Sequence, residues 1–240
     1  MRILITNDDG IQSPILPYFA EWASSFGEVT VIAPLVEQSG MSHAINFTRP
    51  HDITRVDLIP GVEAYSMTST PADCVRFAVL GMKREFDLVL SGINRGFNLG
   101  LDIVYSGTAG AIFEAGRLGT PGIAISTEPK SFEYAKEKLD TVYRYFCEHS
   151  LLSENSLYNV NIPKGDGKIR ITRQGGIYFH DVFEHRGGDT YVQSGDVIHE
   201  SGGDLTLDTD AVREGYISIT PLTRERTALD IYQKLSQRLN

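Results

Sequence analysis

Ile3, Leu4 and Ile5 form an unbroken apolar run that stops abruptly at Asn7-Asp8-Asp9-Gly10. A run without alternation is what a strand buried on both faces requires, and the polar stop marks a loop at its carboxyl end. Ser13 and Pro14 then read as a helix cap and first turn. Ile15, Leu16, Phe19, Ala20, Ala23 and Phe26 recur at helical spacing until Gly27. Val29 to Ala33 is a second apolar run, closed by Pro34. Strand, helix and strand within about 30 residues make a crossover unit with parallel strands.

The alternation continues. Thr70-Pro71 opens a helix expected to reach about Met82, and Asp87 to Leu90 is a strand ending at Ser91-Gly92. Ser106 to Leu118 is helical and closes on Gly119-Thr120-Pro121, after which Ile123 to Ile125 is a short strand. Phe132, Ala135, Leu139, Val142, Tyr143 and Phe146 form one apolar stripe on a longer helix. Residues 1–156 therefore predict a doubly wound, mostly parallel Rossmann-like α/β sheet. From 157 onward short β-like runs (159–162, 169–172 and 217–220) surround a Gly- and Asp-rich stretch at 185–210. Residues 157–240 are expected to be a β-rich extension of the same domain with a terminal helix. Its strands lack helical crossovers and should pair antiparallel, forming an arm that joins a neighbouring subunit.

The 240 residues should fold to about 10,700 Å² of surface, enough burial for one substantial core. Thirty-one acidic against 22 basic side chains give a net charge of −9, and no Lys/Arg run interrupts this, which excludes a general nucleic-acid surface. No stretch approaches the roughly 18 apolar residues of a membrane span, and no basic leader with a cleavage site is visible, so a cytoplasmic protein is expected. Cys74 and Cys147 fall in apolar-patterned helical segments and read as buried thiols.

In an open parallel sheet, ligands gather beyond the carboxyl ends of the strands. There the chain places Asp8 and Asp9 after the first strand, Ser39 after the second and Asn94 after the strand at 87–90. Adjacent carboxylates repel unless a positive charge sits between them. With hydroxyl and amide oxygens around them they suit one hard divalent cation, Mg²⁺ or Mn²⁺, per subunit. The six histidines show no H-x-H or H-E-x-x-H spacing, which weighs against zinc. A plain Asx turn remains the alternative for Asp8-Asp9-Gly10 taken alone.

Ser106, Gly107 and Thr108 lie where a loop enters a helix, so their unpaired first-turn amides and hydroxyls suit a phosphate; a simple Ser cap is the alternative. Gly92, Gly96 and Gly100 match neither the dinucleotide fingerprint nor a Walker loop. His43 reads as a surface or hydrogen-bonded residue rather than a proton donor, and Asp204, Asp208 and Asp210 as a solvated acidic loop.

Six segments carry a resemblance: ILITNDDG at 3–10, SGMSHAI at 39–45, TPADCV at 70–75, SGINRGFNLGLDIVYSGTAGA at 91–111, NVNIP at 159–163 and GYISITPL at 215–222. In kind and order they resemble the SurE survival proteins, a family of metal-dependent 5'-nucleotidases. The resemblance implies a cation held by Asp8, Asp9, Ser39 and Asn94, with Ser106, Gly107 and Thr108 toward the phosphate. It implies hydrolysis of nucleoside monophosphates, in some members also of 3'-nucleotides or short polyphosphate, and homodimers or homotetramers with exchanged C-terminal segments. It leaves the general base and the leaving-group acid unassigned. Ile15 and Ser69 stand where the family usually has Gly and are expected to reshape the pocket rim. Two rivals are weaker. An aspartyl-phosphate route through Asp8 lacks the D-x-D-x-[TV] spacing, and a receiver-like Mg²⁺-binding regulator lacks a later Asp–Lys pair.

Overall fold

The computed structural model describes residues 1–239. In chain order the elements are β1 (Arg2–Thr6), α1 (Leu16–Ser24), β2 (Glu28–Pro34), β3 (Ile53–Val56), β4 (Glu63–Met67) and α2 (Pro71–Arg76), the last continued by a π turn at Phe77–Gly81. Then come β5 (Leu88–Arg95), a 3₁₀ turn (Gly100–Tyr105), α3 (Gly107–Arg117), β6 (Gly122–Thr127), α4 (Glu133–Glu148), α5 (Leu151–Glu154) and β7 (Leu157–Ile162). The remainder is β8 (Ile169–Ile171), β9 (Phe179–Gly187), β10 (Thr190–Val197), α6 (Asp208–Arg213), β11 (Ile217–Pro221) and α7 (Leu229–Leu239).

Nine strands form one sheet in the order β3-β4-β2-β1-β5-β6-β7-β11-β8. The six from β4 to β7 run parallel. Side chains alternate across them, so successive apolar residues of one run feed two cores. Ile3, Ile5, Leu88, Leu90, Ile123 and Ile125 pack with Phe19 of α1 and Leu139 and Phe146 of α4. Leu4, Ile32 and Val89 pack on the other face with Cys74 and Val75 of α2 and Ala111 and Ala115 of α3. Each fully buried Leu, Ile or Phe contributes about 1.5–3 kcal/mol. The mostly parallel α/β sheet is the expected fold class.

Several local expectations are corrected. α1 begins at Leu16 with Pro17 in its first turn, and Ser13 sits in the preceding turn without capping the helix. The helix after Thr70 keeps its predicted cap, the Thr70 hydroxyl accepting from the Asp73 N–H, but widens to a π turn after Arg76. β5 runs through Ser91-Gly92 as far as Arg95. The β-rich extension with its terminal helix is present, but its strands are not all antiparallel. β7 completes the parallel run, β11 pairs antiparallel with it, and β8 lies parallel to β11.

What does project is the β9–β10 hairpin, whose strands pair only with each other. Total exposed surface is 12754 Å², well above the value expected for a compact chain of this length. The excess fits the exposure of this hairpin and of α7, with Phe183, Tyr191, Ile231 and Tyr232 all open to solvent. Cys74 is buried as expected, and burial pushes its thiol up; Cys147 is exposed on α4, against expectation. No helix among the described residues is long and apolar enough to cross a membrane.

Candidate active site

Strand order reverses at the β1–β5 pair: the chain leaves β1 for β2 on one side and returns to β5 on the other. That reversal opens a crevice at the carboxyl ends of the strands. A cleft of about 250 Å³ lies here, lined by residues that include Asp8, Ser39, Asn94, Asn98, Tyr105 and Ser106.

The Asx turn at the end of β1 is made by Asn7, whose Oδ1 accepts from the Gly10 N–H at 3.1 Å while its Nδ2 donates to the Gly10 carbonyl at 3.0 Å. Neither aspartate is consumed by the turn. Asp8 is 5% exposed; its Oδ1 accepts from the Thr108 hydroxyl at 2.8 Å and its Oδ2 from the Thr108 N–H at 3.2 Å. Burial raises its pKa to about 6 against the pull of those Thr108 bonds, with the neighbouring Asp9 charge adding to the rise. Asp9 accepts from the Arg95 N–H at 3.3 Å, which seats it beside Asn94, and burial raises its pKa as well.

Asn94 reaches the cleft through a bulge. Pairing of β5 with β6 steps from Ser91–Ala124 to Asn94–Ser126, three residues against two. Gly92 makes this feasible: its φ is +139°, and a Cβ there would collide with the Ile125 carbonyl. Asn94 Nδ2 donates to the Gly96 carbonyl at 2.8 Å, which leaves Oδ1 as the available acceptor. Ser39 is exposed in the loop after β2, and its hydroxyl donates to Glu37 at 2.6 Å, leaving the oxygen's lone pairs. That loop is fixed at its start by Gln38 N–H donating to the Asp8 carbonyl at 2.7 Å.

The three candidate phosphate residues divide. Ser106 caps α3, its Oγ accepting from the Ala109 N–H at 3.0 Å, and lines the cleft with its hydroxyl proton still to donate. Gly107 opens the helix, and a Cβ there would lie 3.1 Å from Asp8, so glycine permits the close approach of α3 to β1. Thr108 is fully buried and gives both its amide and its hydroxyl to Asp8. Its donors orient a carboxylate.

Sequence reasoning assigned no role to Asn98, Asn159 and Asn161. The Asn98 carbonyl accepts from Asn159 Nδ2 at 2.8 Å and Asn161 Nδ2 at 2.9 Å, its N–H donates to Asn161 Oδ1 at 2.9 Å, and its Nδ2 donates to Ser126 at 2.8 Å. The cleft floor is thereby anchored to β6 and β7. The signal was Asn-Val-Asn: two polar residues at alternate positions inside an otherwise apolar buried strand. Asp102 was missed too. Its carboxylate accepts from the Tyr178 and Phe179 N–H groups at 2.8 and 2.9 Å, fastening the base of the hairpin to the cleft rim.

Other expectations are corrected. Asp208 and Asp210 are buried clamps rather than solvated: Asp208 accepts from the N–H groups of Gly100, Gly175 and Thr209, and Asp210 from those of Gly202 and Asp204 and from His199. Only Asp204 is exposed, paired with Arg173 at 3.2 Å. Ile15 is fully buried in the core and Ser69 donates to Asp73 at 2.6 Å, so neither lines the cleft. His43 is a hydrogen-bonded residue, as expected, its Nε2 2.8 Å from Glu114 Oε2. A second cavity, enclosed by Trp22, Phe26, Leu139 and Phe146, carries no carboxylate and none of this chemistry.

The donor set can be tested for a cation. Two adjacent carboxylates, a hydroxyl and an amide oxygen are all hard oxygens, and the buried Asp8 carboxylate has no basic side chain bonded to it. Among the described residues no group of three or more His, Cys, Asp or Glu is clustered for a metal, here or elsewhere, so any cation in the cleft must rely on hydroxyl and amide oxygens as well. A hard divalent ion fits.

The family model described as "Survival protein SurE" matches residues 3–181. A "5'-nucleotidase SurE" of Thermosipho melanesiensis is 36% identical over 253 residues, covering 99% of this chain and 97% of that protein. Another, from Thermoanaerobacter sp., is 38% identical over 247 residues, covering 98% and 97%. The crystal structure of a SurE protein from Aquifex aeolicus superposes with a TM-score of 0.77 at 32% identity, covering all of both chains.

Proposed function

The chain belongs to the SurE family, and on that premise we propose that it is a divalent-cation-dependent phosphatase of nucleoside 5'-monophosphates, with Asp8, Asp9, Ser39 and Asn94 as the cation's ligands. The observation that carries this reading is the fate of Asp8. A carboxylate that is nearly inaccessible, raised in pKa and held at both oxygens by Thr108 is costly to keep unless a cation compensates it.

A bound divalent cation would supply Lewis-acid polarisation of the phosphoryl group and ease deprotonation of water. The chain supplies the rest. Thr108 fixes Asp8 in one rotamer, so that no reorganisation is needed on binding. The Ser106 hydroxyl and the Gly107 N–H, at the amino end of α3, donate to phosphoryl oxygens and stabilise the charge that gathers there as the ester bond breaks. Phe97, Tyr105 and Phe179 give the rim aromatic surface for the nucleoside. Donors that address the phosphoryl end would also take 3'-nucleotides and short polyphosphate, which are expected as further substrates.

The rivals fit less well. The aspartyl-phosphate route lacks its D-x-D-x-[TV] spacing, since Gly10-Ile11 follows the adjacent carboxylates, and among the described residues no lysine lines the cleft as a receiver-like regulator would need. The exposed hairpin and α7 support a homodimer or homotetramer built through the C-terminal segments.

Removal and return of the metal tests the reading. EDTA-stripped protein should release no phosphate from 5'-AMP above background, and Mn²⁺ or Mg²⁺ should restore turnover. Turnover that persists after stripping would exclude the cation. Because protons compete for Asp8, apparent Mn²⁺ affinity should rise with pH up to about 6 and then level off.

A further inference from the structure

The loop that carries Ser39 has no regular secondary structure between Leu35 and Pro50, yet its ligand must keep a fixed distance from Asp8. Six contacts tie it to helical elements or their approaches. Ser42 donates its N–H to the Tyr105 carbonyl at 2.9 Å and its hydroxyl to the Val104 carbonyl at 2.7 Å. The Ser42 carbonyl lies so close to Gly110 of α3 that a side chain there would collide with it. Farther along, the Thr70 hydroxyl donates to the Ala44 carbonyl at 2.7 Å and the Asn46 N–H donates to Asp73 at 2.8 Å.

The sixth contact is the one side-chain ion-pairing partner among them: His43 Nε2 lies 2.8 Å from Glu114 Oε2. Glu114 is 1% exposed, and its other oxygen accepts from Arg76 at 2.9 Å and from Arg117 Nε and Nη2 at 2.9 and 2.7 Å. Burial pushes the Glu114 carboxyl up, but the bonds from His43, Arg117 and Arg76 outweigh it and hold its pKa at about 2. Glu114 is therefore an anion at every working pH, Oε2 is an acceptor, and His43 must present Nε2–H to it.

Both halves of the cleft converge on one helix. α3 holds Asp8 through Thr108 in its first turn and the Ser39 loop through Glu114 nearly two turns later. We propose that His43 is a positioning residue: the His43–Glu114 contact locks the Ser39 loop to α3, so that Ser39 and Asp8 are presented to the cation as one preorganised set. This inference rests on the cation site proposed above.

Calorimetric titration of the metal-free protein with Mn²⁺, without substrate, tests it. His43→Leu should weaken Mn²⁺ binding by about tenfold, the lower end of what loss of an outer-shell positioning contact costs. His43→Gln, whose Nε2 amide can donate to the same oxygen, should bind within about threefold of the parent. At saturating Mn²⁺, His43→Leu should raise KM more than it lowers kcat. A side chain that only stabilises the fold would lower the melting temperature and leave Mn²⁺ affinity unchanged, and that result overturns the proposal. Asp8→Asn separates the two levels of failure. If Asp8→Asn binds Mn²⁺ as tightly as the parent, the cation site itself is wrong. If Asp8→Asn loses binding while His43→Leu keeps it, only the tether is wrong.

Discussion

Asp8→Asn will abolish phosphate release and at the same time make the metal-free protein more stable at neutral pH. Loss of activity follows from removing one of two charged ligands and should reach about a thousandfold or more in kcat/KM. The gain in stability follows from linkage. Asp8 titrates near 6 in the folded chain, above its ordinary 3.8, so folding favours the protonated form. Its contribution to stability is full below about pH 4 and is lost as the pH rises through 6. At pH 7 the ionised, buried carboxylate costs about 3 kcal/mol in the absence of a cation, and a neutral amide of the same shape removes most of that. Thermal melts of the stripped proteins at pH 7 should place Asp8→Asn above the parent, with the gap closing toward pH 4. A variant that is both inactive and less stable would mean that Asp8 serves the fold rather than a cation.

Gly110→Ala will separate stability from activity in a different way. Alanine in the interior of α3 gains up to about 1 kcal/mol of helix propensity over glycine. The new Cβ, however, would collide with the Ser42 carbonyl, backbone that cannot rotate aside, so the Ser39 loop must shift bodily. A displacement of about 1 Å at a ligand costs on the order of a hundredfold in rate. The expected outcome is an unchanged or raised melting temperature with about a hundredfold loss of kcat/KM that added Mn²⁺ partly repairs. Full activity in a well-folded Gly110→Ala protein would show that the loop's distance from α3 does not matter.

What the sequence revealed and what it hid follow from the range of the interactions involved. The strands were legible because strands buried on both faces read as unbroken apolar runs, as at Ile3 to Ile5 and Val29 to Ala33. Placement of Asp8, Ser39 and Asn94 around one cleft, with Asp9 adjacent in sequence, followed from parallel strands pointing their carboxyl ends the same way, although the bulge that carries Asn94 did not. β3 and β4 escaped notice because they are short, no residue of β3 is buried and only three of β4 are. Asp208 and Asp210 looked like a solvated loop because charge in a Gly-rich stretch normally is. Their true partners include the Gly100 N–H, 108 residues away, and long-range backbone donors leave no local pattern. Thr108 shows the same limit: its place after Ser106-Gly107 suggested a phosphate donor, while its observed partner, Asp8, lies 100 residues upstream.

Anomalous diffraction from crystals soaked with Mn²⁺ would test the central claim most directly. One peak per chain should lie within bonding distance of carboxylate oxygens of Asp8 and Asp9, of Ser39 Oγ and of Asn94 Oδ1. A peak held by other residues, or a cleft without manganese in crystals of protein that the ion activates, would contradict it.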